Sequence, residues 1–209
     1  AALAVLAFAV RDMPWHRLAD RESATGFVVV LLVLLAMRAM SVTLLPGMAL
    51  HLVGAAIATL MFGWRFALLA LAAAGLLDSA WTGTAWLGLP WDFLFGAALP
   101  VAGVWWLLAA GRKWLPRNPF AYVFGAAFAG GALTMLLAQG SKAALMLALG
   151  LSDADTVAEH YLLTLPAMMF SEAFFSGGTL AILAIYRPQW VATFDDDFYL
   201  RAAPARRGD

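Results

Sequence analysis

Apolar residues fall into seven blocks along the chain, separated by short polar or glycine-proline breaks. A membrane-crossing helix needs about 20 mostly apolar residues, which sets the scale for reading them. The first block, Ala1–Val10, is half that length, and the chain opens on Ala. The expectation is that native sequence lies upstream or that residues not shown complete this helix. A signal peptide is the rival reading, but Arg11-Asp12-Met13-Pro14 follows in place of a small-residue cleavage site. The second block spans about Thr25–Leu44, and the third, Met48–Phe62, is short. Gly63 divides the third from the fourth, Trp64–Ala80, and the fifth covers about Leu87–Ala110. The sixth runs from Phe120 to Gly150, which as a helix reaches about 46 Å against a ~30 Å hydrocarbon core. A strong tilt or a break at Gln139-Gly140-Ser141 is therefore expected. The seventh, Tyr161–Tyr186, is closed by Arg187-Pro188, where proline cannot continue a helix.

Basic residues set the direction of crossing. With the N-terminus outside, the cytoplasmic side receives Arg11, Arg17, Arg21, Arg65, Arg112, Lys113, Arg117, Arg187, Arg201, Arg206 and Arg207, eleven of the thirteen. Only Arg38 and Lys142 fall in the outer half, whereas Asp78, Asp92, Asp153, Asp155 and Glu159 lie in outer loops. Tryptophans collect at both rims: Trp81, Trp86 and Trp91 outside, Trp15, Trp64, Trp114 and Trp190 inside. The expected architecture is all-α: a polytopic bundle of about seven transmembrane helices, N-terminus outside and C-terminus cytoplasmic. Residues 1–186 would form the bundle and 187–209 a cytoplasmic tail.

Composition narrows the class further. Hydrophobic residues make up 64% and charged residues 12% of the 209, against roughly 45–50% and 25% in soluble domains. Mean hydropathy is +0.83. A soluble enzyme, a disordered chain and a coiled coil are excluded. The net charge is zero, so no long-range field draws nucleic acid. Cysteine is absent, which removes disulfides, thiolate metal sites and thiol nucleophiles. Small-xxx-small spacings at Gly54/Ala58, Ala126/Gly130, Ala127/Gly131 and Ala173/Gly177 suit close helix contact in lipid.

Ionisable residues within such blocks are expensive, so each is a candidate for function. Lys142 and Glu172 lie on neighbouring antiparallel spans and are expected to pair, either to close the bundle or to relay a proton or cation. Arg38, near the outer end of the second span, either snorkels or faces a cavity and pairs with Asp78, Asp153 or Asp155. His51 follows Leu45-Pro46-Gly47-Met48, where irregular backbone at membrane depth must be buried or line a cavity. Imidazole is a common metal ligand, yet a lone histidine is more often a packing residue. His160, beside Glu159, is a weaker outer candidate. In the tail, Trp190, Asp195, Asp196 and Tyr199 read as a partner-docking or interface-anchored strip, and the acidic run as a possible chelator.

Pro46-Gly47-Met48-Ala49-Leu50-His51-Leu52-Val53-Gly54, followed by Leu60-Met61-Phe62-Gly63, resembles the cobalt/nickel-type permease family (CbiM/NikM-like). Glu172-Ala173 with Gly177 is similar to that family's last-helix stretch. Tyr186-Arg187-Pro188, Trp190, Phe194-Asp195-Asp196 and Tyr199-Leu200 resemble a proteobacterial branch. The resemblance implies a seven-helix substrate-capture subunit of an energy-coupling-factor ABC transporter in a bacterial inner membrane. It implies capture of a transition-metal ion from outside, with a transmembrane coupling subunit and cytoplasmic ATPases as partners. In the family the metal is held by an N-terminal Met-His pair and the histidine matching His51; only His51 carries over. Met48 and Asp78 are the further ligand candidates.

These features point away from an enzyme and from an intrinsic cofactor, the metal being substrate. The chain lacks a Gly-rich, Lys-containing phosphate loop, so ATP hydrolysis falls to a partner. Two other classes stay open: a non-transporting scaffold or assembly protein, and an intramembrane serine protease using Ser176 and His51. In the latter, Phe174 stands where a glycine is required.

Overall fold

The computed structural model describes residues 1–11, 13–45, 48–83 and 86–199, and of residues 42–45, 48, 49, 160 and 196 the backbone alone. Among the described residues, seven helices carry the fold: α1 Ala2–Arg11, α2 Arg21–Ala39, α3 Ala55–Phe62, α4 Trp64–Thr82, α5 Trp86–Trp114, α6 Pro119–Ala148 and α7 Leu165–Tyr186. Five of them, α2 and α4–α7, are long and apolar enough to cross a membrane. The chain is a polytopic all-α membrane bundle, with one small addition: an antiparallel hairpin, β1 Val42–Leu45 and β2 Met48–Leu50, between α2 and α3.

Local chemistry explains most boundaries. Asp20 caps α2 by accepting from Ser23 N–H and Ser23 Oγ, both at 3.0 Å. Asn118 caps α6 by accepting from Ala121 N–H at 2.7 Å, and Pro119 follows in the first turn, where its missing N–H costs nothing. Within α5 a π-turn at Leu94–Ala98 precedes Pro100. Proline has no N–H to give and its ring crowds the carbonyl four residues back, so the helix widens there.

Two expectations are corrected. The third block is not a continuous helix from Met48. Its first residues form β2, His51–Gly54 run irregularly, and Gly54 takes φ +70° before α3 begins at Ala55. Gly54 thus turns the chain into α3, and it is also a close contact with α2, since a Cβ there would run into Leu34 Cδ2. Of the two alternatives for the sixth block, a strong tilt or a break, the break at Gln139-Gly140-Ser141 is the one that fails: α6 is helical from Pro119 to Ala148, with a π-turn at Val123–Phe128. At 30 residues it is matched in length by α5, at 29.

α3 sits at the centre, with Ala55–Met61 all buried, and packs on α4, α5, α6 and α7. α6 lies between α5 and α7. Its glycines work as expected of a lipid-embedded pair: Gly131 lies against the α7 backbone at Glu172 and Ala173, and Gly177 of α7 lies under the Phe128 ring. Large apolar side chains such as Leu32, Phe170, Phe174, Ile182 and Ile185 point outward, as they must where the solvent is lipid. Exposed Trp81, Trp86 and Trp91 ring the end of the bundle near the hairpin, and exposed Trp114 and Trp15 lie at the other.

Candidate functional site

The two ends of α3 define two polar constellations. A helix leaves its first N–H and last C=O groups without internal partners, and inside a membrane protein they must be satisfied elsewhere. At the start of α3, the fully buried Glu172 carboxylate does this. Its Oε2 accepts from Val53 N–H at 2.8 Å and its Oε1 from Gly54 N–H at 2.7 Å. An anion at a helix N-terminus also meets the positive end of the helix dipole. Glu172 therefore fixes the strap His51-Leu52-Val53-Gly54.

His51 stands at the head of that strap, only 9% exposed. Its Nδ1 lies 2.9 Å from Leu52 O. A carbonyl only accepts, so Nδ1 carries a proton and donates. In the neutral ring the lone pair is then on Nε2, the arrangement of a ligating imidazole whose other nitrogen is oriented by a backbone carbonyl.

Arg38, Lys142 and Asp92 are near enough for their charges to act on the His51 ring. Asp92, in the first turns of α5, is the hub. Its Oδ2 accepts from Arg38 Nη2 at 2.7 Å and its Oδ1 from Lys142 Nζ at 2.7 Å. Asp78 makes a looser pair with Arg38 at 3.8 Å. Glycines make room for this network: a Cβ on Gly96 would lie 3.1 Å from Asp92 Oδ1, and one on Gly75 would lie 3.6 Å from Arg38 Nη2. Arg38 and Asp92 also form the wall of a pocket of about 490 Å³, otherwise lined by apolar side chains of α1, α4 and α5.

The expected Lys142–Glu172 pair does not form. Gly131 of α6 is level with Glu172, since a Cβ there would touch Glu172 O at 2.7 Å. Lys142 lies eleven residues further along α6, which is about 16 Å away along the axis. The close contacts at Gly131 and Gly177 set this register. Arg38 pairs with Asp78, one of the alternatives the sequence leaves open, but its closer partner is Asp92, which the sequence places among the outer-loop acids. Its signal was there: a carboxylate inside the apolar run that begins at Trp86.

Other candidates separate. The side chains of Met48, His160 and Asp196, and residues Pro46, Gly47 and Leu200, lie outside the described residues. Ser176 Oγ is buried and finds no partner among the described residues, and the His51–Leu52 bond engages neither it nor α7, so no serine–histidine dyad is present there. No three His, Cys, Asp or Glu side chains converge on one point among the described residues.

The tail candidates Trp190 and Tyr199 do not stand free. Trp190 lies against Gly26 of α2, and Tyr199 is buried against Tyr122 and Phe194. Asp195 is exposed and accepts from Phe198 N–H at 3.2 Å, starting the last helical turn. Between them the chain meets the far end of α3. Ala192 N–H donates to Met61 O at 2.8 Å and Thr193 N–H to Leu60 O at 3.3 Å. Thr193 Oγ1 donates its proton to Leu60 O at 2.6 Å, so Tyr122 OH, 2.8 Å from that oxygen, is the donor to it. Arg112 donates to Thr193 O at 2.7 Å. No side-chain pattern in the sequence marks these residues, because they converge on the Leu60, Met61 and Thr193 carbonyls, which only the fold brings near.

Comparison with known families settles the class of this bundle. The family model described as "cobalt uptake substrate-specific transmembrane region" (CbiM) matches residues 1–190. The chain belongs to the CbiM family. A match over the whole bundle identifies a transmembrane component of a cobalt-uptake type of transporter, not a member of an enzyme family. No curated protein and no solved structure matches the chain.

Proposed function

We propose that this CbiM-family chain is the substrate-capture subunit of an energy-coupling-factor ABC transporter and that it binds a transition-metal ion of the cobalt/nickel type. The His51 end faces the extracytoplasmic side and the tail end faces the cytoplasm, where coupling and ATPase subunits act. The observation that carries this is the oriented imidazole of His51, held by Leu52 O at 2.9 Å on a strap that Glu172 pins from α7. That is a prepared ligand rather than a side chain wedged for volume. Cobalt and nickel ions take imidazole nitrogen readily, and the ion retains water or takes donors beyond the described residues at its other positions. Asp92 and Asp78 are spoken for by Arg38 and Lys142. They serve as the counter-charges of Arg38 and Lys142 rather than as ligands.

The test is uptake of radiolabelled cobalt and nickel into cells that express the chain with its partners. His51→Ala is expected to abolish accumulation while membrane abundance is unchanged. Metal uptake unaffected by that substitution, with complex assembly intact, would favour the second reading, a non-transporting scaffold. The lack of three converging donor side chains among the described residues is the observation on that side.

A further inference from the structure

α3 is an eight-residue rod, about 12 Å long at 1.5 Å per residue, held by another part of the chain at each end. At one end the Glu172 carboxylate takes the Val53 and Gly54 N–H groups of the strap that bears His51. At the other, Ala192 and Thr193 take the Leu60 and Met61 carbonyls. Between them Ala55–Met61 are all buried, and a packed interior transmits displacement instead of absorbing it. Gly63, at φ +84°, joins α3 to α4: its N–H donates to Thr59 O at 2.8 Å and its carbonyl accepts from Ala67 N–H at 3.1 Å, so the inner end of α3 turns on a single bonded glycine. The tail adds a second, polar hold on the Leu60 and Met61 carbonyls: Thr193 spends its hydroxyl on Leu60 O and receives Tyr122 OH and the Arg112 guanidinium in turn. Charges at the two ends match the rod's dipole, with the Glu172 carboxylate at the start and the Arg112 guanidinium beside the finish.

We infer that Thr193 is a positioning residue for the His51 site, acting along α3. Release of the tail from the Leu60 and Met61 carbonyls frees the inner end of α3 and loosens the His51 strap, and loosening of the strap frees the tail. A cytoplasmic partner that draws the tail away thereby weakens the outer site without touching it. That functional consequence rests on the reading of His51 as ligand. The linkage itself does not, and it is read without metal.

The chain has no cysteine, so single reporters are clean. Leu52→Cys reports the strap and Ala192→Cys the tail, each labelled by a charged thiol reagent on the full-length protein in proteoliposomes. Thr193→Val is expected to raise the labelling rate of Leu52→Cys about fivefold or more, the low end of ordinary coupling between sites, while Thr193→Ser stays within about twofold of wild type. Reciprocity requires that Glu172→Gln, which offers one acceptor where the carboxylate offers two, speed labelling of Ala192→Cys. Tyr122→Phe removes only the donor to Thr193 Oγ1 and serves as the milder variant if Thr193→Val does not fold; a rise at Leu52→Cys is expected there too. The inference is overturned if each substitution speeds labelling only at its own end, or if Thr193→Ser behaves as Thr193→Val does. Loss of metal binding with the linkage intact would instead fail the ligand reading alone.

Discussion

Gly130 and Gly131 are adjacent on α6, and the structure assigns their alanine variants opposite signs. A Cβ on Gly131 would lie 2.7 Å from Ala173 Cα and 2.7 Å from Glu172 O, both backbone atoms of α7 that no rotamer change moves aside. Reaching ordinary contact, about 3.4 Å or more, forces α7 to retreat by roughly 0.7 Å. The same retreat stretches the Glu172 bonds, now 2.8 and 2.7 Å, toward the edge of hydrogen-bond range. Overpacking costs about 1–3 kcal/mol, and weakening two bonds to a charged acceptor adds about 1–2. The expected loss for Gly131→Ala is therefore about 2–5 kcal/mol, or about 5–20 °C in melting temperature for a chain of this size. A Cβ on Gly130 meets Val104 Cγ1 at 3.6 Å and Ala56 Cβ at 3.7 Å, which is ordinary contact. Gly130→Ala therefore gains helix propensity, about 0.5–1 kcal/mol, at no steric cost. The assay is thermal or denaturant unfolding in detergent, followed by tryptophan fluorescence. Equal effects of the two substitutions would refute the α6–α7 register described here, and with it the placement of Glu172 on the strap.

Asp92→Asn is expected to cost about 1–3 kcal/mol, because it leaves Arg38 and Lys142 partly buried without their carboxylate. Adding Lys142→Met to it is expected to recover part of that loss, so the double-mutant cycle returns a coupling above about 0.5 kcal/mol; additive losses would show that the pair is not formed. Ser176→Ala removes a buried hydroxyl that has no partner among the described residues, so stability is expected to hold or rise by up to about 1 kcal/mol and uptake to persist. Loss of uptake in that variant, with the protein stable, would give Ser176 a chemical role. Asn118→Ala at the start of α6 is expected to cost about 0.5–2 kcal/mol in the same unfolding assay, with uptake unaffected at the growth temperature.

The positions of the spans were legible in the residue order because lipid imposes a one-dimensional rule. A segment that crosses must be apolar and must satisfy its own backbone, so the blocks Trp64–Ala80 and Tyr161–Tyr186 announce themselves, and helices Trp64–Thr82 and Leu165–Tyr186 stand there. His51 was legible too, since proline and glycine ahead of it forecast irregular backbone at depth. Neighbourhood was not legible. Lys142 and Glu172 have the spacing of a pair, but the register of α6 against α7 is decided by where Gly131 and Gly177 let the helices touch, and that puts the two charges about 16 Å apart along the axis. Asp92 became the partner of Arg38 and Lys142 because three helices converge on it. The partners of α3 at both ends, Glu172 and Thr193, meet backbone N–H and C=O groups, which every residue except proline carries as a pair and no side-chain pattern distinguishes. Hydropathy is a property of single segments and can be read one block at a time, whereas a contact depends on the rotation and height of two helices at once, and only packing sets those.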